Sequence, residues 1–368
     1  MQNEDLLYTI ALTKVENVGA VTAKTLISYC GNANAVFKEK ISNLMRIPYI
    51  GGTIAKSIRD PGNLKKAEKE IEFVLKNKIT VLTYLDENYP YRLKNYHDSP
   101  VLVYYQGNAN LNQDKIISVV GTRRITEYGK NLVNSLIHEI KHLDILVLSG
   151  LAYGVDSAAH KACVEEHVYT VGVLGHGLDR IYPADNKKLS LQMLQYGGLL
   201  TEFGMDTKPD RENFPMRNRI VAGMSDAVIV VETLKEGGSM ITAEYANNYH
   251  KDVFAFPGKT NDNFSSGCNY LIKNHKAQLI ENAEDLILNM RWDIPDKPTK
   301  TIQQKLFLDL DADEQNIVNI LQKDNLVHVD IFHQNLDLSP SKLASLLLNL
   351  EFNGVLKSLP GKRYSLIS

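Results

Sequence analysis

The sequence has no closely spaced cysteines. Cys30, Cys163 and Cys268 are scattered, no CxxC occurs, and neither a zinc nor a haem motif can be assembled from them. Three buried thiols in a reducing compartment are the expectation. No apolar run approaches the roughly 18 residues of a membrane span, and Met1-Gln2-Asn3-Glu4-Asp5 carries no basic segment. Both absences point to a soluble, cytoplasmic protein without membrane contact. An excess of positive charge is also missing. Lys plus Arg number 41 against 43 Asp plus Glu, a net charge of -2. That excludes a uniformly basic coat for nucleic acid but leaves room for a local basic site. Several catalytic signatures fail as well. Gly258-Lys259-Thr260 looks like the end of a P-loop, but Val253 stands where its first glycine belongs. Gly175-His176-Gly177 begins a dinucleotide fingerprint that Arg180 breaks. GxSxG does not occur. ATPase, dehydrogenase and serine-hydrolase readings fall together. No catalytic residue, metal or cofactor is expected.

What is present describes an ordinary globular chain of 368 residues, 44% hydrophobic with 23 glycines, long enough for two or three domains. Near the N-terminus a weak repeat aligns Lys14–Leu26 with Arg46–Ile58. In each copy an apolar residue precedes a glycine, Gly19 or Gly51, and Ala-Lys-[Thr/Ser]-[Leu/Ile] follows. The glycine is expected to permit a left-handed turn between two short helices, leaving free N–H groups at the second helix start. This resembles tandem helix-hairpin-helix motifs, and the alternative is a small helical bundle without a ligand. From Thr80 onward, short β-branched runs alternate with amphipathic stretches. Nine strands are expected, near residues 80–84, 101–105, 115–120, 145–149, 169–174, 198–203, 227–232, 253–256 and 278–280. Helical stretches lie between them, and this alternation predicts a doubly wound, mostly parallel α/β sheet. Pro295 and Pro298 mark a linker over 291–310. Beyond it, three periodic helices and a hairpin turning at Pro360-Gly361 predict a winged helix. The expected domains are a helical, helix-hairpin-helix or SAM-like domain (1–76), an extended Rossmann-like domain (77–290), the linker, and the winged helix (311–368). The last carries five basic and seven acidic residues, which argues against a strong DNA clamp.

Four glycine loops follow predicted strands: Gly121-Thr122-Arg123, Ser149-Gly150-Leu-Ala-Tyr-Gly154, Gly175-His176-Gly177 and Glu236-Gly237-Gly238-Ser239. In a parallel sheet these loops open on one edge, where glycine admits an anion and helix N-termini favour it. Arg211-Glu-Asn-Phe214-Pro-Met-Arg217-Asn218-Arg219 adds three arginines, an asparagine and an aromatic. Guanidinium groups match phosphate oxygens, and an aromatic face stacks any base. The competing reading ion-pairs Arg217 and Arg219 with Glu202 or Glu232 and packs Phe214 beneath its loop. His176 lacks an evident carboxylate partner and reads as structural.

Six ordered motifs spanning about 80–281 make the chain resemble the DNA-processing protein A family (DprA, also called Smf), recombination mediators of natural transformation. They are Val119–Arg124, Ser149–His160, Leu174–Pro183, Phe214–Ile220, Gly237–Ala243 and Phe256–Gly258. The resemblance implies an extended Rossmann domain that binds single-stranded DNA, forms a homodimer and helps load RecA. Carried over by motif, it makes Arg123 and Arg211 basic contacts, Phe214 the stacking aromatic, and Arg217, Asn218 and Arg219 the basic helix start. Gly121 and Thr122 belong to the first loop, while Ser149, Gly150, Gly238 and Ser239 would supply backbone and hydroxyl contacts. Gly237 stands where many members have serine. The alternative is an enzyme, a nucleoside-monophosphate phosphoribohydrolase of the lysine-decarboxylase-like group. Glu244 is in register with that group's acid, but Met240 and Ile241 replace its Gly-Thr. A non-enzymatic binder is therefore the expectation.

Overall fold

The computed structural model describes residues 3–292, 310–323, 326–336, 338–353, 355–359 and 361–366. The chain divides into two compact units, Met1–Asp293 and Ile294–Ser368.

The first unit opens with six helices, Asn3–Thr13, Ala20–Cys30, Ala33–Lys38, Ile41–Leu44, Gly52–Ile58 and Gly62–Lys76. The repeat glycines are not left-handed. Gly19 and Gly51 are extended, with φ of -85° and -83°, and each caps the following helix. The left-handed residues are Asn17 (φ 63°) and Tyr49 (φ 65°), two positions earlier. Asparagine tolerates that conformation, and Tyr49 adopts it where its side chain is 97% exposed. The helices bury Ile10, Leu12, Leu26 and Ile58 in a core that also takes in Val101, Leu102 and Tyr104. Helical and sheet regions thus share apolar contacts. Glu70, 2% exposed, ties them further: it pairs with Lys14 at 2.5 Å and accepts the Met205 N–H at 2.8 Å.

Nine strands follow: β1 (Thr80–Thr83), β2 (Leu102–Gly107), β3 (Lys115–Val120), β4 (Ile145–Ser149), β5 (Tyr169–Val173), β6 (Gly197–Thr201), β7 (Ala227–Val230), β8 (Asp252–Ala255) and β9 (Gln278–Leu279). They form one sheet in the order β1-β2-β6-β5-β4-β3-β7-β8-β9. The ladders from β6 through β9 are parallel, and β1 and β2 add an antiparallel edge. The parallel strands read as continuous apolar runs because both faces are covered. One face packs Val120, Leu148, Val173 and Val230 against Ile220 and Ala243, and the other packs Ile117, Val147 and Ile229 against Val133 and Ala159. The chain steps outward from β3 through β4, β5 and β6, then returns to the far side of β3 for β7, β8 and β9. The strand order therefore reverses between β3 and β7, which is where open α/β sheets place ligands. After β9 the helix Ala283–Met290 ends on Arg291 in the left-handed conformation, and Trp292 packs onto the core beneath. Structure thus continues to Trp292, and the rest of the expected linker, 293–309, lies outside the described residues.

The second unit contains the helices Ala312–Lys323, Val329–Asn335 and Pro340–Phe352, and strands β10 (Val327–His328), β11 (Leu356–Leu359) and β12 (Arg363–Leu366). The strands form an antiparallel sheet in the order β10-β12-β11. Ser339 caps the last helix and Pro340 opens it, a favoured N-terminal pair. Leu321, Phe332, Leu343, Leu350 and Leu356 make its own core. This is a winged helix. Gly361 has φ +84° in the hairpin turn, while Pro360 lies outside the described residues. Among the described residues no helix is long and apolar enough to cross a membrane.

Candidate nucleic-acid interface

The carboxyl ends of β3, β4 and β7 open onto a cleft of about 580 Å³ at the switch point. Three of the four glycine loops meet there, contributing Gly121, Thr122 and Arg123, then Gly150, then Gly237, Gly238 and Ser239. Arg211, Phe214, Arg217 and Asn218 complete the wall from the start of the helix Asn213–Met224. Glycine is required where these loops cross. Gly154 has φ +78° and turns against the Thr122 carbonyl, and a Cβ at Gly150 would strike the Arg217 guanidinium. The fourth loop does not line the cleft. Gly175, His176 and Gly177 are buried, and a Cβ at Gly175 would stand 3.1 Å from Phe214 Cδ1. That loop supports the aromatic from below rather than facing a ligand.

The basic residues divide into two kinds. Arg123 and Arg211 are exposed, and neither has an ion-pair or hydrogen-bond partner among the described residues. The Arg123 guanidinium lies 5.3 Å from the centre of the half-buried Phe214 ring, whose other neighbour is Tyr182 at 6.0 Å. Arg217 is only 5% exposed. It donates to the Gly150 carbonyl at 2.7 Å, to the Val173 carbonyl, and to Asn218 Oδ1 at 3.1 Å. Asn218 in turn donates to the Gly238 carbonyl at 3.3 Å. This chain of bonds ties the ends of β4 and β5 to the helix Gly238–Asn248. Arg219 does not reach the cleft. It is buried and ion-paired with Glu202, the competing reading of that residue. Glu232 pairs with neither arginine, because it accepts the Thr126 N–H at 2.9 Å and the Thr126 hydroxyl at 2.5 Å.

The serines are similarly occupied. Ser149 is fully buried, donates to the Val119 carbonyl at 2.6 Å and lies outside the cleft lining. Ser239 donates to Thr233 Oγ1 at 2.7 Å. What the last loop offers is backbone: the N–H groups of Gly238 and Ser239 open a helix and have no intrahelical acceptor. The space beside the Gly238 Cα is empty.

Asp156 lies within the Ser149–His160 stretch, where its sequence neighbours give no sign of a role at the cleft. Its carboxylate, 8% exposed, accepts the N–H groups of Gly150 at 3.1 Å and Ala152 at 3.3 Å and so shapes the loop. Burial raises its pKa against the opposing pull of Arg217, and burial lowers that of Arg217. The floor of the cleft is therefore a charge-balanced support, and the uncompensated positive charge sits at its rim on Arg123 and Arg211. Tyr182, in the Ile-Tyr-Pro segment, was also missed, since nothing in its spacing separates a wall aromatic from a core one. Ile241 lines the cleft, whereas Glu244 is exposed outside it. No cluster of His, Cys, Asp or Glu able to hold a metal occurs among the described residues.

Residues 80–291 match the family described as DNA recombination-mediator protein A, and residues 306–362 match the DprA winged helix domain. The chain is 34% identical over 295 residues to Protein Smf of Synechocystis sp., covering 79% of this chain and 74% of that protein. It is 38% identical over 208 residues to the DNA processing protein DprA of Streptococcus pneumoniae, covering 56% and 73%. The crystal structure of the S. pneumoniae protein superposes with a TM-score of 0.64 at 31% identity, over 77% of this chain and 97% of that one. The DNA processing protein A of Helicobacter pylori, solved to describe its single-stranded DNA binding mode, superposes with a TM-score of 0.54 at 31% identity, over 59% and 97%.

Proposed function

The chain belongs to the DNA recombination-mediator protein A family, and from that premise we propose that its cleft binds single-stranded DNA without base preference. One observation carries the reading. Two unpartnered arginines, a half-buried phenylalanine and free helix-start N–H groups converge where the strand order reverses. Phosphates fit the first and last of these, and a base fits the ring between them. No helix in the cleft presents a set of side chains that would read paired bases in a groove. Arg123, Arg211, Gly238 and Ser239 are the phosphate contacts in this proposal, and Phe214 is the stacking platform. Gly121, Thr122, Gly150, Arg217 and Asn218 shape the pocket, while Ser149 and Arg219 act from behind it.

The proposed role is DNA processing in natural transformation, with protection of incoming strands and help in loading RecA onto them. A homodimer is part of the proposal. Two modest clefts on one strand gain effective concentration, which suits a chain of net charge -2. The domain division at 76, 290 and 310 belongs to the same reading. Phosphoribohydrolase activity is disfavoured because Met240 and Ile241 replace that group's Gly-Thr, with Ile241 in the cleft wall, and Glu244 is exposed outside the cleft. The test is a salt titration with single-stranded and duplex oligonucleotides. Tighter binding to the single strand, with a log–log slope of about -0.7 per phosphate neutralised, is expected. Equal affinity for duplex at moderate salt would overturn it. RecA filament growth on strands precoated with a single-strand-binding protein, with and without this chain, tests the loading step.

A further inference from the structure

Beyond the cleft lies a second depression of about 800 Å³, bounded by the helices Glu127–Ile140, Val155–Glu165 and Lys187–Met193. Its basic residues are Lys130, Lys161 and Lys188, all exposed. Lys130 reaches Glu127 at 2.5 Å, but Lys161 and Lys188 have no ion-pair or hydrogen-bond partner among the described residues. The acids in the groove are Glu165 and Asp185, and Asp185 already accepts the Tyr153 hydroxyl at 2.8 Å.

Two tyrosines join this groove to the cleft. Tyr182 lines both the cleft and a narrow slot beside it, next to Phe214. Tyr153 lines the same slot, and the residue that follows it, Gly154, lines the groove. Both tyrosines are 44% exposed. Phe214 and Tyr182 are ring neighbours, Tyr153 and Arg123 share their slot, and the Tyr153 hydroxyl reaches Asp185 inside the groove that holds the free lysines.

We propose that a single strand leaving the cleft crosses Tyr182 and Tyr153 and enters this groove, where Lys161 and Lys188 neutralise its phosphates. Alternating rings and cations are the means by which proteins hold single strands irrespective of sequence. A duplex keeps its bases paired and cannot lay them on these rings, so the extension also adds strand selectivity. It rests on the cleft being a single-strand site.

The experiment measures salt slopes by fluorescence anisotropy on oligothymidylates of about 6 and about 16 nucleotides, spanning the usual range of site sizes. In the full-length protein the longer strand should give the steeper slope. Lys161→Glu/Lys188→Glu should make the long-strand slope shallower by about 1.4, two phosphates' worth, and leave the short-strand slope unchanged. The neutral pair Lys161→Gln/Lys188→Gln should do the same, which separates lost attraction from added repulsion. An unchanged long-strand slope in both variants would refute the groove while leaving the cleft intact. Failure of the wild-type chain to bind either length would instead refute the single-strand reading beneath it.

Discussion

Removing Arg217 strands the carbonyls of Gly150 and Val173 and leaves the buried carboxylate of Asp156 without its neighbouring cation. An uncompensated buried charge costs about 3–5 kcal/mol. Arg217→Ala should therefore lower Tm sharply, and any loss of DNA binding should track the fraction unfolded in a thermal melt. Arg123 is its opposite: an exposed guanidinium that lies over the Phe214 ring. Arg123→Ala should leave Tm within the error of the melt and make the single-strand salt slope shallower by about 0.7. Phe214→Ala should cost roughly 1–3 kcal/mol of binding with the slope preserved, because stacking releases no counterions. A Phe214→Ala protein that binds normally but melts far lower would show the ring to be a plug over Gly175, and the stacking role would fail.

At the scale of elements, the helix Val155–Glu165 buries His160 against β5. Thr170 gives its hydroxyl proton to the Val147 carbonyl at 2.9 Å, so the 2.7 Å contact to His160 Nδ1 must be donated by the imidazole. Nε2 is then a buried acceptor with no partner. Burial lowers the pKa of His160 from 6.5 to about 3, with Arg217 acting in the same direction. The unfolded chain takes up a proton below pH 6.5 that the folded chain refuses. Stability from this residue is complete above pH 6.5 and falls as the pH drops toward 3. Between pH 6.5 and about 5.5 the loss should be about 1 kcal/mol, read by urea denaturation, and His160→Gln should flatten it. The buried His176, also depressed, adds in the same sense, so the variant reduces the dependence without abolishing it. Asp156 and Glu202 are raised by burial and act in the opposite sense, so the His160→Gln variant, compared with the parent chain, isolates the histidine's share. The nine strands were legible because strands covered on both faces are short apolar runs between glycine turns, a pattern that survives without tertiary knowledge. The placement of the first, second and fourth glycine loops was legible for a related reason, since topology alone puts them on one edge. What could not be read was which arginines are free. Arg123, Arg217 and Arg219 look alike in sequence, and their difference lies in partners supplied by β4, β5 and the residue after β6.

For the whole molecule, the question is whether the winged helix contributes to holding DNA. Residues 311–368 carry five basic and seven acidic side chains, so the remainder of the chain has no net charge. Ending the chain at Asp293 also removes the three lysines and two aspartates of residues 294–310, eight basic and nine acidic side chains in all, so it still removes slight repulsion toward a polyanion, on balance, rather than attraction. Every residue lining the cleft, and every residue of the three cores that support it, lies before Asp293. The winged helix keeps its own core, with Phe332 and Leu350 fully buried within it. A protein ending at Asp293 should accordingly fold, with the thermal transition of the first unit preserved. It should bind single strands at least as tightly as the full chain at low salt, and the two affinities should converge as salt screens the removed charge. The log–log slope is set mainly by the phosphates displaced at the cleft, so it should be no shallower for the truncated protein, and slightly steeper as the two affinities converge. A truncated protein that binds weakly and with a shallower slope would mean that basic residues after Asp293 touch the strand despite the acidic balance of that segment.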